Sequence, residues 1–286
     1  MLISLEQILG IAEARKIAIG SFNITSLEVA QSVLGAAEEL NQPVILQSAP
    51  GHSNLIAVNE IGPILVLMAE KSHVPVCVHL DHGETLEDVH QALEMGFTSV
   101  MYDGSALSFE ENVANTRAAV EMAWDYGASV EAEMGFMGRE EFASAGEEVE
   151  GEAFSGVYTD PEQAKEFVEA TQIDALACSF GTVHGIYMQE PCLDFDRIKA
   201  IKDKINKPIV MHGGSGVSDE DFKKCIANGV RKINYYTYLA KEAGEVVRDK
   251  CAKAKENLFY HDIMLWGMEA MKKNAKHAIS VFSNLQ

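Results

Sequence analysis

No run of apolar residues in this chain of 286 approaches the ~20 that a membrane-spanning helix requires. The first thirty residues also lack the basic flank, apolar stretch and small-residue cleavage site of a secretory signal. The expectation is a cytoplasmic protein that does not engage a membrane. Cys-x-x-Cys pairs are missing too: the cysteines are five in number and lie apart at 77, 178, 192, 225 and 251, so no disulfide framework is expected. Cys77 and Cys178 sit inside apolar runs and read as reduced packing residues. Basic side chains are scarce, 23 Lys and Arg against 43 Asp and Glu, for a formal net charge of -20. With no clustered basic face, nucleic acid and acidic membranes are excluded as partners. Any phosphate must then be held by backbone amides and a few hydroxyls or lysines, against an unfavourable overall field. No Gly-x-Gly-x-x-Gly follows the first strand pattern, which argues against a dinucleotide-binding fold.

What is present is repetition. Short β-branched runs alternate with longer amphipathic stretches, with no low-complexity linker between them. Strands are expected at 17–24, 43–48, 75–82, 99–104, 129–135, 174–181, 208–213 and 232–236, with helices between them such as 27–40 and 86–95. Eight βα units in about 250 residues match a closed (β/α)8 TIM barrel, an α/β fold expected to form one domain over 1–286. The lysine-bearing stretch 239–281 is expected to be a C-terminal helical extension that caps the barrel or builds a subunit contact. The Gly-, Glu-, Ala- and Ser-rich segment 137–157 reads as a mobile loop after the fifth strand, where such barrels keep a lid.

A barrel of this kind assembles its active site where strands end. Reactive side chains collect there: His79-Leu80-Asp81-His82-Gly83 on the third strand, Tyr102-Asp103-Gly104 on the fourth, and Glu131-Ala132-Glu133 on the fifth. Thr182-Val183-His184-Gly185 ends the sixth, His212-Gly213-Gly214-Ser215-Gly216 the seventh, and Asn234 through Thr237 the eighth. His82, His184 and His212 come from three different strands and can converge on a zinc ion, which accepts three imidazoles and keeps one position open; taken singly, each is as easily a polar residue at a strand end. Asp81 reads either as a general acid and base or as the partner of a ligand histidine. Asp103 and Glu133 are further metal ligands, orienting partners of the ligands, or partners of lysines. His79 has no assigned role. The glycines after strand seven, Ser215 and the turn after strand eight occupy the usual phosphate-binding position of barrels, although a glycine-rich string alone can be a tight turn.

Taken in order, Gly20-Ser21-Phe22-Asn23-Ile24, Asp81-His82-Gly83, Val130 to Gly135, Gly181 to Tyr187, His212 to Gly216 and Lys232-Ile233-Asn234 resemble the class II ketose-bisphosphate aldolases from about Leu5 to beyond Tyr238. The resemblance implies Zn2+ on His82, His184 and His212, with Asp103 and Glu133 in accessory metal or supporting positions. It implies that Asp81 moves the proton of the C4 hydroxyl, and that Glu141, in the loop after strand five, is the acid that exchanges a proton with the enediolate. Dihydroxyacetone phosphate would be held by Gly185, Gly213, Gly214, Ser215, Asn234, Tyr235, Tyr236 and Thr237, with a monovalent cation, Na+ or K+, beside it. The implied partner is a phosphorylated ketose, fructose 1,6-bisphosphate or tagatose 1,6-bisphosphate, and the implied assembly a homodimer or homotetramer. The alternatives are a metal-dependent sugar-phosphate isomerase, a non-catalytic aldolase-like subunit, and a Schiff-base aldolase using Lys232. Departures from the family pattern fall on the substrate side: Ala49 for a hydroxyl residue, Tyr236 and Tyr238 for small or acidic ones, Gly138-Arg139-Glu140-Glu141 for paired glycines before the acid, and only Lys272 and its neighbours for a far-phosphate arginine.

Overall fold

The computed structural model describes residues 1–135, 158–186, 191–255 and 257–285. Eight parallel strands close into a barrel in chain order: β1 Ile19–Asn23, β2 Val44–Ser48, β3 Val76–Gly83, β4 Ser99–Tyr102, β5 Ser129–Met134, β6 Ala175–Cys178, β7 Ile209–Met211 and β8 Val230–Tyr235. The helices are α1 Leu5–Arg15, α2 Leu27–Leu40, α3 Val58–Lys71, α4 Leu86–Glu94, α5 Phe109–Asp125, α6 Pro161–Thr171, α7 Phe195–Ile205, α8 Asp219–Ala227, α9 Thr237–Lys253 and α10 Tyr260–Phe282. All eight expected strands are present, and the expected stretches overrun most of them by a few residues. Pro208 lacks the N–H of a ladder residue, while Gly181 and Gly213 adopt φ +112° and +64°, so hydrogen bonding cannot continue through them. Strand eight instead starts earlier than its pattern, at Val230.

Two apolar clusters follow from the strand pleat. The larger fills the space between the barrel and its helices. The smaller lies inside the barrel, where Ile19, Ile45, Cys77, Ala175, Ala177 and Val210 meet Leu5, Ile8, Leu9 and Ala12 of α1. Ser4 starts that helix through a reciprocal cap with Gln7, and α1 lies across the N-terminal end of the strands as a floor. Leu5, Ile8 and Leu9 of this helix are essentially fully buried, worth roughly 5–9 kcal/mol together at the usual 1.5–3 kcal/mol each. Leu9→Ala is expected to cost about 2–5 kcal/mol, read as a lower urea midpoint with an unchanged slope.

The C-terminal extension joins the helical layer. α10 packs on α2 and α9, and Phe282 meets Phe222 and Tyr235 with ring centroids at 4.8 and 6.1 Å. Lys272 and Lys276 pair with Glu39, near the end of α2 remote from the strand C-termini, so these lysines do not supply a far-phosphate contact. All five cysteines are free, and burial pushes the thiols of Cys77 and Cys225 up to about 12, which fits inert packing. Among the described residues no helix is long and apolar enough to cross a membrane.

Candidate active site

β3 carries both Asp81 and His82, which a regular pleat would aim to opposite faces. The strand does not end there. It runs to Gly83, and the β3–β4 register shifts between Leu80 and Gly83 while His82 takes φ +49°. This left-handed backbone costs a non-glycine residue about 1–2 kcal/mol, and it turns the imidazole toward the barrel mouth beside Asp81. His82 Nδ1 lies 2.7 Å from Asp103 Oδ2, and Asp103 Oδ1 accepts from the Ser105 amide and hydroxyl at 3.1 and 2.6 Å.

His212 follows β7 by one residue. Its Nε2 lies 2.9 Å from Glu131 Oε1, and its Nδ1 lies 3.2 Å from His82 Nε2 and 3.5 Å from Glu133 Oε2. His184 stands beside both, with ring centroids 5.2 Å from His82 and 5.7 Å from His212. The loops after β6 and β7 approach so closely that a Cβ on Gly213 would fall 2.2 Å from the Val183 carbonyl oxygen. Only glycine allows that contact, which brings His184 to His212.

One ligand atom from each of His82, His184 and His212 lies within 4.8 Å of the others, and the same holds for His82, Asp103 and Glu133. With Nδ1–H of His82 turned to Asp103 and Nε2–H of His212 to Glu131, the facing nitrogens are left as acceptors 3.2 Å apart. Two nitrogens bound at 2.0–2.1 Å to a tetrahedral zinc lie about 3.3 Å apart. The donor set therefore fits such an ion. Burial alone would lower the His82 imidazole, yet Asp81, the Asp103 hydrogen bond and Glu133 hold it up at about 9, so the pocket favours positive charge and a bound metal would take the place of the proton on the facing nitrogen. Burial and the nearness of His82 keep His212 below the usual imidazole range, the neutral form that a metal requires.

Asp81 is held by three amides. Oδ2 accepts from Asn23 Nδ2 at 2.7 Å and Gln47 Nε2 at 3.1 Å, and Oδ1 accepts from Asn234 Nδ2 at 3.0 Å. Gln47 also donates to Asn23 Oδ1 at 2.8 Å and accepts from the Ser21 hydroxyl. Burial pushes this carboxyl upward, but His82, His212 and Lys232 more than offset that and hold it well below the usual carboxylate range. It is an ionised acceptor 4.0 Å from His82 Nε2.

A profile of the family described as Fructose-bisphosphate aldolase class-II matches residues 3–285. The chain belongs to that aldolase family. It is 38% identical over 268 residues to the Escherichia coli K12 protein called "Uncharacterized protein YdjI", covering 93% of this chain and 92% of the relative. It is 41% identical over 254 residues to the Bacillus subtilis 168 "Probable fructose-bisphosphate aldolase", covering 88% and 87%. The crystal structure of the YdjI aldolase superposes with TM-score 0.86 at 35% identity, over 99% of this chain and 97% of that one. The Campylobacter jejuni fructose-bisphosphate aldolase superposes with TM-score 0.81 at 25% identity, over 99% and 96%.

In this aldolase-family chain the turns after β7 and β8 follow closely on His212 and Asn234 at the barrel mouth. The Gly214 amide donates to the Asn234 carbonyl at 3.2 Å, and the Tyr236 amide to Ser215 Oγ at 3.1 Å, tying the turn after β7 to the turn after β8. α9 starts at once with Thr237 and has no acidic residue in its first turn, so the positive end of its dipole faces the mouth. Gly185, at φ +103°, follows His184. Tyr236 closes the β8–β1–β2 edge: its hydroxyl meets Thr25 Oγ1 at 3.2 Å and its ring lies 5.1 Å from that of His52. Tyr235 departs from expectation. The pleat turns its ring outward against Phe22 and Phe282, and burial raises its phenol to about 12, so its side chain is not at the mouth. Tyr238 lies under the Lys241 ammonium. Glu141 and the rest of 137–157 fall outside the described residues.

Asn23 and Gln47 were given no role from sequence, Glu131 was named only among the strand-end side chains, and Lys232 only as the lysine of the Schiff-base alternative. Glu131 shares pleat parity with Glu133, and Lys232 with Asn234. Gln47 pairs in register with His79, two residues before Asp81, and Asn23 pairs with Gln47. Strand parity was the signal that could have found them.

Proposed function

We propose that this chain is a zinc-dependent class II aldolase that reversibly cleaves a ketose phosphate to dihydroxyacetone phosphate and an aldehyde. The observation that carries this reading is the convergence of His82, His184 and His212 within 4.8 Å, beside a buried carboxylate held by three amides. His82, His184 and His212 would hold the ion, with Asp103 and Glu131 orienting two of the imidazoles and Glu133 adding negative charge nearby. When bound, zinc supplies a Lewis acid for the ketose carbonyl and its neighbouring hydroxyl. Asp81 accepts the proton of the C4 hydroxyl as the C3–C4 bond breaks, and its electron pair passes to the three-carbon half as an enediolate. Asn23, Gln47 and Asn234 keep Asp81 aimed, and Glu141 is the acid assigned to return a proton to C3. Gly185, Gly213, Gly214, Ser215 and the backbone from Tyr236 to Thr237 would bind the phosphate, with Na+ or K+ beside it. The same reading includes assembly as a homodimer or homotetramer in the cytoplasm.

The Schiff-base alternative is disfavoured because Lys232 Nζ spends its N–H groups on Glu131 and Asn234 inside the barrel. The test is triose-phosphate release from ketose mono- and bisphosphates, with and without a chelator. Cleavage that stops on chelation and returns with zinc is expected. Full activity in the chelator, or no triose phosphate from any sugar by zinc-loaded protein, overturns the reading. Because Tyr236 narrows one edge of the mouth and Ala49 brings no hydroxyl, fructose 1,6-bisphosphate is not expected to be the best sugar of that panel; ordinary efficiency on it removes this argument alone.

A further inference from the structure

Lys232 sits on β8 in the barrel interior, fully buried. An ammonium has three N–H donors and no acceptor. Here two hydrogen bonds are made, to Glu131 Oε1 at 3.2 Å and Asn234 Oδ1 at 2.8 Å, and the cation also lies 2.9 Å from Glu131 Oε2 as an ion pair. Each contact has a consequence one bond further on. Since Lys232 only donates, it fixes the Asn234 amide with oxygen inward and Nδ2 outward, where it donates to Asp81 Oδ1 at 3.0 Å. Reversed, the amide would set its oxygen against the carboxylate. On the other branch, the cation pairs with Glu131 in an interior that would otherwise disfavour the lone charge. Glu131 Oε1 also accepts from His212 Nε2 at 2.9 Å, which leaves His212 Nδ1 facing His82.

We propose that Lys232 is a positioning residue acting on both halves of the site, setting the amide that aims Asp81 and the carboxylate that aims His212. It touches neither substrate nor metal. The Asp81 branch rests on the aldolase reading; the His212 branch rests only on the metal cluster.

The test uses full-length Lys232→Met and the double variant Lys232→Met/Glu131→Gln, which removes the paired Lys232 and Glu131 charges together, so failure of the single variant to fold does not block the experiment. Zinc affinity by competition with a chromogenic chelator is expected to fall about 10–100-fold in either variant, the usual effect of losing a partner behind a ligand histidine. At saturating zinc, and with the melting transition of the double variant still cooperative, kcat is expected to fall by at least a further tenfold while KM stays within about threefold, a split that general loosening of the fold does not produce. Wild-type zinc affinity in the folded variants overturns the His212 branch, and wild-type kcat in the zinc-saturated double variant overturns the Asp81 branch; either result removes the dual role. Should wild-type protein cleave no ketose phosphate, the aldolase reading falls and the zinc competition decides on its own.

Discussion

Asp81→Asn is expected to lower kcat by about 10²–10⁴-fold, the range associated with losing a positioned general acid or base, with zinc content and KM little changed. The substitution keeps the side chain's shape but ends its capacity to take a proton. It also places an amide where three amides already donate: Asn23, Gln47 and Asn234 all present N–H groups to this carboxylate. At least one of them must lose its acceptor when the substituted side chain turns its own nitrogen toward them. Steady-state kinetics beside metal analysis separates the two consequences. A variant retaining more than about a tenth of wild-type kcat would remove Asp81 from the proton-transfer role.

His212→Ala should act on the metal first. It removes one of three converging nitrogens and leaves Glu131 without the imidazole N–H that it accepts. Lewis-acid stabilisation worth several kcal/mol corresponds to at least ~10³ in rate, so activity at ordinary zinc concentrations should fall that far. Zinc retained after dialysis should drop in parallel. Near-stoichiometric zinc together with full loss of activity would instead assign His212 a role apart from holding the ion.

The barrel was legible in the chain because short apolar runs, most of them with β-branched residues, recur between stretches that carry plain amphipathic faces. The convergence of three histidines was legible for a related reason: in a closed parallel barrel all strand C-termini reach the same end. What lay one pleat lower was not. Gln47 in an apolar strand and Glu131 before an alanine look like isolated polar residues until the barrel closes and brings β2, β5 and β8 around one interior. Nor does the chain announce that His82 turns inward. The strand runs on to Gly83, and a shifted register with one left-handed residue turns the ring. Tyr235 shows the converse: adjacency to Asn234 made it a site candidate, but alternation places it in the outer core.

The floor laid by α1 has a consequence for exchange with water. Leu5, Ile8, Leu9 and Ala12 seal the lower end of the barrel, and Lys232, His79 and Glu131 lie fully buried above them. The interior is thus a vessel with its opening at the mouth, and a labile hydrogen on Lys232 or His79 reaches bulk water by passing the histidines. A molecule seated at that mouth acts as a stopper, and the deuterium taken up by these nitrogens becomes a clock for how long it stays.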